Sequence, residues 1–83
     1  MDLSVEISKY PLNENYIPVI KDFIDRLNTH PHITVLTNTM STQIFGEFDA
    51  VMHAISTEMK KSFSQDIKQV MVMKFINSDL RPQ

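Results

Sequence analysis

The chain has 83 residues, one glycine, no cysteine and a formal net charge of −2. This length predicts a single domain over residues 1–83 with a small core, and the lack of cysteine excludes disulfides and thiolate metal sites. The weak negative charge gives no electrostatic basis for binding nucleic acid or an anionic membrane. No segment resembles a signal peptide or reaches the ~20 apolar residues of a membrane span, so we expect a soluble cytoplasmic protein.

The first half of the chain predicts a strand and then a helix. Leu3, Val5 and Ile7 alternate with polar residues, which is typical of a strand with one buried face. Pro11 ends this strand because proline has no N–H to donate. We expect a helix to about Asn28, capped by an asparagine at position 13 or 15, since apolar residues recur at helical spacing. This apolar stripe consists of Tyr16, Ile17, Ile20, Phe23, Ile24 and Leu27.

The second half predicts a hairpin, a helix and a last strand. The two hairpin strands run from Ile33 to about Asn38 and from Ser41 to Glu47. A helix follows Asp49, its predicted N-cap, and ends near residues 64–66, with Glu58 expected on its solvent face. Its apolar stripe consists of Val51, Met52, Ile55, Met59 and Phe63. The last strand spans residues 69–76 and is apolar on both faces, and we expect the tail, 77–83, to be extended or partly disordered.

The order of these elements is β-α-β-β-α-β, which predicts the ferredoxin-like α+β fold. In that fold a four-stranded antiparallel sheet carries both helices on one face, with the first and third strands in the centre. Val70 and Val72 in the last strand alternate with other apolar residues, so one set of apolar side chains has no helix to pack on. We therefore expect a homodimer or homotetramer, because an apolar sheet face or a free edge strand favours a second subunit. The alternative is a monomer with one solvent-exposed sheet face.

The segment from Thr37 to Gln43 is dense in uncharged hydrogen-bonding side chains. Six of its residues carry a hydroxyl or an amide: Thr37, Asn38, Thr39, Ser41, Thr42 and Gln43. Such a segment suits a small polar ligand, and it equally suits a β-turn at residues 38–41 between threonine-rich strands. Gly46, the only glycine, lies just beyond it inside a predicted strand, where glycine marks a bulge or the close approach of another group.

Neither catalysis nor a metal site is well supported. There is no cysteine nucleophile, one glycine cannot form a phosphate-binding loop, and the carboxylates are scattered as in any small domain. His30 and His32 flank Pro31 and could be grouped with His53, but no matched carboxylate or cysteine accompanies them. We interpret them as ordinary surface histidines and expect neither enzymatic activity, a bound metal nor a cofactor.

Three features of the chain resemble the YkoF-like proteins, small ferredoxin-like proteins that bind thiamin or its hydroxymethylpyrimidine part. The first strand ends in Glu6-Ile7-Ser8-Lys9-Tyr10-Pro11-Leu12. The hairpin carries Met40-Ser41-Thr42-Gln43-Ile44-Phe45-Gly46-Glu47-Phe48. The last strand contains Met73-Lys74-Phe75-Ile76, and Arg81 follows in the tail. The resemblance implies the same fold, an oligomer and a non-catalytic carrier or sensor of thiamin or hydroxymethylpyrimidine.

An aminopyrimidine has an amine donor and ring-nitrogen acceptors, which hydroxyl and amide side chains can complement. The ligand-binding residues that we predict on this basis are Glu6, Tyr10, Asn38, Met40, Ser41, Thr42, Gln43 and Phe45. Among them, Glu6 could balance a thiazolium charge, and Tyr10 or Phe45 could stack on a flat ring. The alternative is a regulatory or interaction module of the same fold with a different small-molecule effector.

Overall fold

The computed structural model describes residues 1–82 and has the six elements in the order that the sequence predicts. They are β1 (Asp2–Pro11), α1 (Tyr16–Leu27), β2 (Ile33–Thr37), β3 (Thr42–Glu47), α2 (Phe48–Phe63) and β4 (Gln69–Ile76). The strands form one antiparallel sheet in the order β2-β3-β1-β4. The ferredoxin-like fold is therefore confirmed, with β1 and β3 in the centre. Within residues 1–82, no helix is long and apolar enough to cross a membrane.

The core lies between the sheet and the two helices. Leu3, Val5 and Ile7 point to the helices and are almost completely buried, as the alternating pattern predicts. The other buried apolar residues of this core are Phe23, Leu27, Ile44, Val51, Ala54 and Ile55. Burial of aliphatic and aromatic side chains is the main stabilising term, so this single layer carries most of the stability.

Gly46 shows the close approach that glycine in a strand indicates. It faces α2, and a Cβ atom at this position would lie 3.1 Å from the carbonyl oxygen of His32 and 3.2 Å from Val51 Cγ2. Both distances are tighter than ordinary van der Waals contact. The absence of a side chain therefore lets α2 and the start of β2 approach β3.

The helix ends differ from the predicted caps. The N-cap of α2 is Glu47 and not Asp49, because the Glu47 carboxylate accepts hydrogen bonds from the backbone N–H groups of Asp49 and Ala50. Asn15 occupies the N-cap position of α1, but its side chain makes no capping hydrogen bond. Asn13 instead stabilises the turn before the helix, since its Oδ1 accepts a hydrogen bond from the Asn15 N–H at 3.0 Å.

Two charged residues, Glu58 in α2 and Lys9 in β1, lie between the sheet and the helices, a position that the sequence analysis did not predict. Glu58 is 2 % exposed, so its predicted place on the solvent face of α2 is wrong. It lies on the same face as Val51, Ile55 and Ser62, which are all buried. Lys9 continues the alternation of Leu3, Val5 and Ile7 and therefore points to the helices.

The sheet face opposite the helices, here called the open face, is partly covered by the C-terminal tail. By strand register it carries Ser4, Glu6, Ser8, Tyr10, Thr34, Leu36, Gln43, Phe45, Val70, Val72, Lys74 and Ile76. Ser4 Oγ donates to the Ser78 carbonyl at 2.6 Å and accepts from the Leu80 N–H at 2.9 Å. The backbone bends at Asn77 and Ser78, and these two bonds hold the tail against Ser4, which is buried.

Candidate functional site

Two cavities flank the hairpin segment, and they lie on opposite faces of the sheet. The first, here called the helix-side cavity, has a volume of about 230 Å³ and is lined by parts of β1, α1 and the β2–β3 hairpin. The second, here called the open-face groove, has a volume of about 220 Å³ and lies beside the tail. The eight predicted ligand-binding residues are divided between them.

The helix-side cavity joins an apolar wall to a polar rim. The wall consists of Ile7, Ile20, Phe23 and Ile24. The rim consists of Thr37, Asn38, Thr39, Ser41 and Thr42, with Met40, Ser8, Lys9 and Tyr10 completing the lining. An apolar pocket with a few convergent polar groups is typical of a small-molecule site. A cavity of about 150 Å³ is enough to hold benzene, so this one has room for a single substituted six-membered ring.

Thr42 is the best-placed of the predicted residues. It is 6 % exposed, and its Oγ1 lies 3.3 Å from Thr37 Oγ1, with which it shares a hydrogen bond. Each hydroxyl has one donor and two acceptor positions, so this pair keeps unused hydrogen-bonding capacity beside the cavity. A ligand amine or ring nitrogen could therefore be accepted without breaking the threonine pair.

Asn38 stabilises a turn at residues 38–41, the alternative to a ligand site that the sequence analysis considered. Its Oδ1 accepts from the N–H groups of Met40 and Ser41 at 2.8 and 3.1 Å, and its own N–H donates to the Ser41 carbonyl at 3.1 Å. Within residues 1–82 the Asn38 Nδ2 group makes no hydrogen bond, so it is the part of this side chain that can meet a ligand. Met40, at the tip, is 85 % exposed.

Ser41 lies at the boundary between the two faces. It borders the helix-side cavity, but its Oγ donates to Glu6 Oε2 at 3.2 Å on the open face. Tyr10 also borders the helix-side cavity while its register places it on the open face, and it is 55 % exposed. Tyr10 therefore has free ring surface for stacking.

Glu6, Gln43 and Phe45 line the open-face groove and do not line the helix-side cavity. Glu6 is engaged there, since Oε1 lies 3.6 Å from Lys74 Nζ and Oε2 accepts from Ser41. Phe45 is 3 % exposed, so it has almost no ring surface for stacking while the tail is in place. These three residues are thus separated from Thr42 by the sheet.

Lys9 also lines the helix-side cavity, although it is not among the predicted ligand-binding residues. Its Nζ donates to the Val19 carbonyl at 3.4 Å and to Ser62 Oγ at 3.1 Å, and it lies 4.5 Å from the centroid of the Phe23 ring. Burial, reinforced by the positive charge of Arg26, lowers the pKa of Lys9 to about 8. The signal that could have found it is its place in phase with Leu3, Val5 and Ile7.

A charge network around the buried Glu58 carboxylate links the two helices next to Lys9. Glu58 accepts from Arg26 Nε at 2.9 Å and pairs with His30 Nε2 at 2.6 Å, while Arg26 Nη2 donates to Ser62 Oγ at 2.7 Å. Burial raises the pKa of Glu58, but the hydrogen bonds from His30 and Arg26 and the charge of Lys61 outweigh burial, so this pKa lies below its usual value.

His30 is therefore a partly buried partner of Glu58, which corrects its interpretation as an ordinary surface histidine. Its ring also meets His53 edge to face, with the centroids 6.0 Å apart. Within residues 1–82, no three His, Asp or Glu side chains are arranged to hold a metal ion.

Several solved structures have the same fold as this chain. A protein from Streptococcus pneumoniae is 23 % identical with a TM-score of 0.83, over 96 % of this chain and 90 % of that one. A hypothetical protein from Methanocaldococcus jannascii is 19 % identical with a TM-score of 0.79, over 98 % and 84 %. A protein from Thermotoga maritima, named "putative thiamine biosynthesis/salvage protein", is 18 % identical with a TM-score of 0.76, over 98 % and 85 %.

The likeness is one of fold. Each of these identities is below 25 %, a level at which a shared fold does not carry a shared function. Neither a protein-family model nor a curated protein matches the chain.

Proposed function

We propose that this protein binds hydroxymethylpyrimidine, free or as part of thiamin, in the helix-side cavity, and that it acts as a carrier or sensor without catalysing a reaction. The observation that carries the proposal is the placement of the Thr37–Thr42 hydroxyl pair, in which Thr42 is buried and Thr37 is exposed, beside an apolar cavity of about 230 Å³. The hairpin motif around Thr42 is also one of the features that resemble YkoF-like proteins. The name of the Thermotoga protein points to the same chemistry.

The chemistry of the cavity matches one aminopyrimidine ring. Ile7, Ile20 and Ile24 offer apolar contact to the ring faces. The hydroxyls of Thr37 and Thr42 can donate to a ring nitrogen or accept from the exocyclic amine. Satisfying these polar atoms matters because an unpaired polar group in an apolar pocket costs binding free energy.

The composition of the lining supports binding without catalysis. Among the described residues that line the cavity there is no carboxylate, histidine or cysteine, and its only charged residue is Lys9. General acid–base chemistry needs a positioned group of suitable pKa. The pKa of Lys9 is about 8, but its ammonium group donates to Val19 and Ser62 and makes no hydrogen bond to a rim hydroxyl among residues 1–82. We therefore propose binding as the complete activity of the cavity.

Titration calorimetry and thermal shift with hydroxymethylpyrimidine and thiamin test this proposal. One ligand per subunit should bind, and a ligand at 100 times its dissociation constant should add about 2.7 kcal/mol to the free energy of unfolding. Ile24→Trp, designed to fill the cavity from its apolar wall, should abolish the heat of binding. Absence of heat and of thermal shift with both compounds at millimolar concentration would remove this proposal and favour a module with a different effector.

We also propose that the protein self-associates through the open face. Beyond the tail, this face exposes Leu36, Val70 and Val72, which are 40 %, 46 % and 50 % exposed in the single chain. They lie on edge strands, where main-chain hydrogen bonding is also unfinished. A homodimer or homotetramer would remove these side chains from water.

A further inference from the structure

The helix-side cavity has an unbalanced charge. Lys9 is the only charged residue among the described residues that line it, and no Asp or Glu does so. Ionic interactions are stronger in such a partly desolvated site than in water. The charge of a ligand should therefore affect its affinity here more than at an exposed site.

The carboxylate expected to balance a cationic ligand is on the wrong side of the sheet. Glu6 pairs with Lys74 and accepts from Ser41 on the open face, so it does not compensate a positive charge in the cavity. The carboxylate whose charge acts on Lys9 is that of Asp22, on α1. Asp22 is engaged by Arg26, and Glu58 is engaged by both Arg26 and His30.

The ammonium group of Lys9 is held in place and not fully satisfied. Val19 and Ser62 accept two of its three protons, and the Phe23 ring, which also lines the cavity, lies 4.5 Å away. Within residues 1–82 the third proton has no acceptor, although an ammonium group has three donors. A ligand acceptor or an anion would complete this set.

We propose that Lys9 is a specificity-determining residue that makes the helix-side cavity select neutral or anionic pyrimidines over cationic ones. This inference rests on the proposed function, since it concerns the same cavity. Its ligand class is hydroxymethylpyrimidine and its phosphate monoester. A thiazolium attached to the ring is repelled unless it stays outside the cavity, which makes thiamin the weaker ligand.

The test measures the dissociation constants of hydroxymethylpyrimidine, its phosphate monoester and thiamin by calorimetry at pH 7. The quantity compared between variants is the ratio of the dissociation constant of thiamin to that of the phosphate ester. In the wild type we expect the phosphate ester to bind roughly tenfold tighter than thiamin, or more, with the neutral alcohol between them. Lys9→Met keeps the apolar stem over Phe23 and should bring the ratio close to one. Lys9→Arg should keep the wild-type order. Lys68→Met, an exposed lysine outside this cavity, is the matched control and should keep both the ratio and the affinities.

The pH dependence supplies a second readout that a merely structural role would not give. Because the pKa of Lys9 is about 8, the ammonium form dominates at pH 7 and the amine at pH 9. Asp22 and Arg26 face it from α1, Glu58 reaches it from α2 through Arg26 and Ser62, and the hairpin 37–42 has no charged residue. The preference for the phosphate ester should therefore shrink from pH 7 to pH 9 in the wild type and stay constant in Lys9→Met.

The outcomes separate this inference from the function on which it rests. Equal affinities for the three compounds in the wild type, or an unchanged ratio in a folded Lys9→Met variant, would overturn the role of Lys9 and leave pyrimidine binding standing. If none of the three compounds binds the wild type, the proposed function fails and this inference fails with it. Circular dichroism confirms that each variant is folded.

Discussion

Ser41 and Thr42 are neighbours in sequence, and their hydroxyls lie on opposite faces of the sheet. Ser41 Oγ donates to Glu6 Oε2 at 3.2 Å on the open face, whereas Thr42 Oγ1 lies 3.3 Å from Thr37 Oγ1 beside the helix-side cavity. Alternation along a strand produces this separation. It turns one polar motif into two independent contacts, which substitutions can distinguish.

Thr42→Val should weaken the binding of hydroxymethylpyrimidine, because valine keeps the branched shape and removes the hydroxyl. Leaving a ligand polar atom unpaired costs about 1–3 kcal/mol, or roughly 5- to 150-fold in affinity. Ser41→Ala is the matched comparison and should change affinity much less, since its hydroxyl is directed to Glu6. Titration calorimetry measures both. Equal losses in the two variants would contradict the placement of the ligand in the helix-side cavity.

Gly46→Ala should lower the free energy of unfolding, and Gly46→Val should lower it further. The added Cβ meets the His32 carbonyl at 3.1 Å, and this backbone atom cannot rotate away as a side chain could. Overpacking of this kind costs about 1–3 kcal/mol, with valine at the upper end because its methyl groups also meet Val51. Urea denaturation measures the loss. A more stable valine variant would show that strand propensity matters more than the close approach.

The sequence predicted the elements well because two periodicities are clear in it. Alternation at Leu3, Val5 and Ile7 and the helical spacing of Phe23 and Leu27 both correspond to buried faces in the structure. These patterns depend only on which side of an element meets the core, so they are readable without knowing the neighbours.

The exceptions are polar residues inside those same patterns. Lys9 is in phase with the buried residues of β1, and Glu58, predicted on the solvent face, is in phase with Val51 and Ser62. Their positions depend on partners from other elements: Arg26 and His30 for Glu58, and Val19, Ser62 and the Phe23 ring for Lys9. Long-range pairing of this kind is not encoded in local spacing.

The predicted ligand-binding residues lie on two faces of the sheet because of strand pairing, which local sequence also does not reveal. Glu6, Phe45 and Thr42 were grouped because they lie in neighbouring motifs, but the register Glu6↔Gln43 and Ile7↔Thr42 sends them to different faces. The tail that covers Phe45 is held by Ser4, more than 70 positions earlier in the chain. No local signal links these segments.

Acid should destabilise the protein through Glu58. Its pKa in the folded state is lower than the ordinary glutamate value, so the stability it contributes is present above the unfolded pKa and is lost as pH falls through the folded pKa. Glu58→Gln should remove part of this acid dependence. At pH 7 it should cost about 1.5–3 kcal/mol, the value of hydrogen bonds to a charged group. Asp25→Gln, on the exposed face of α1, is the control and should have little effect. Parallel pH dependences in wild type and Glu58→Gln would contradict this role.

Val72→Glu should split the oligomer that we propose. Val72 is 50 % exposed on the open face, so a glutamate there is tolerated by the single chain and is costly only when a second subunit covers it. Val70→Glu should act in the same way. Ile17→Glu, an equally drastic change at a 65 % exposed position on α1, should leave the assembly intact. Light scattering at micromolar concentration should show a dimer or tetramer for wild type and Ile17→Glu, and a monomer for the two valine variants. A monomeric wild type would refute self-association, while dissociation by Ile17→Glu alone would move the interface from the sheet to the helices.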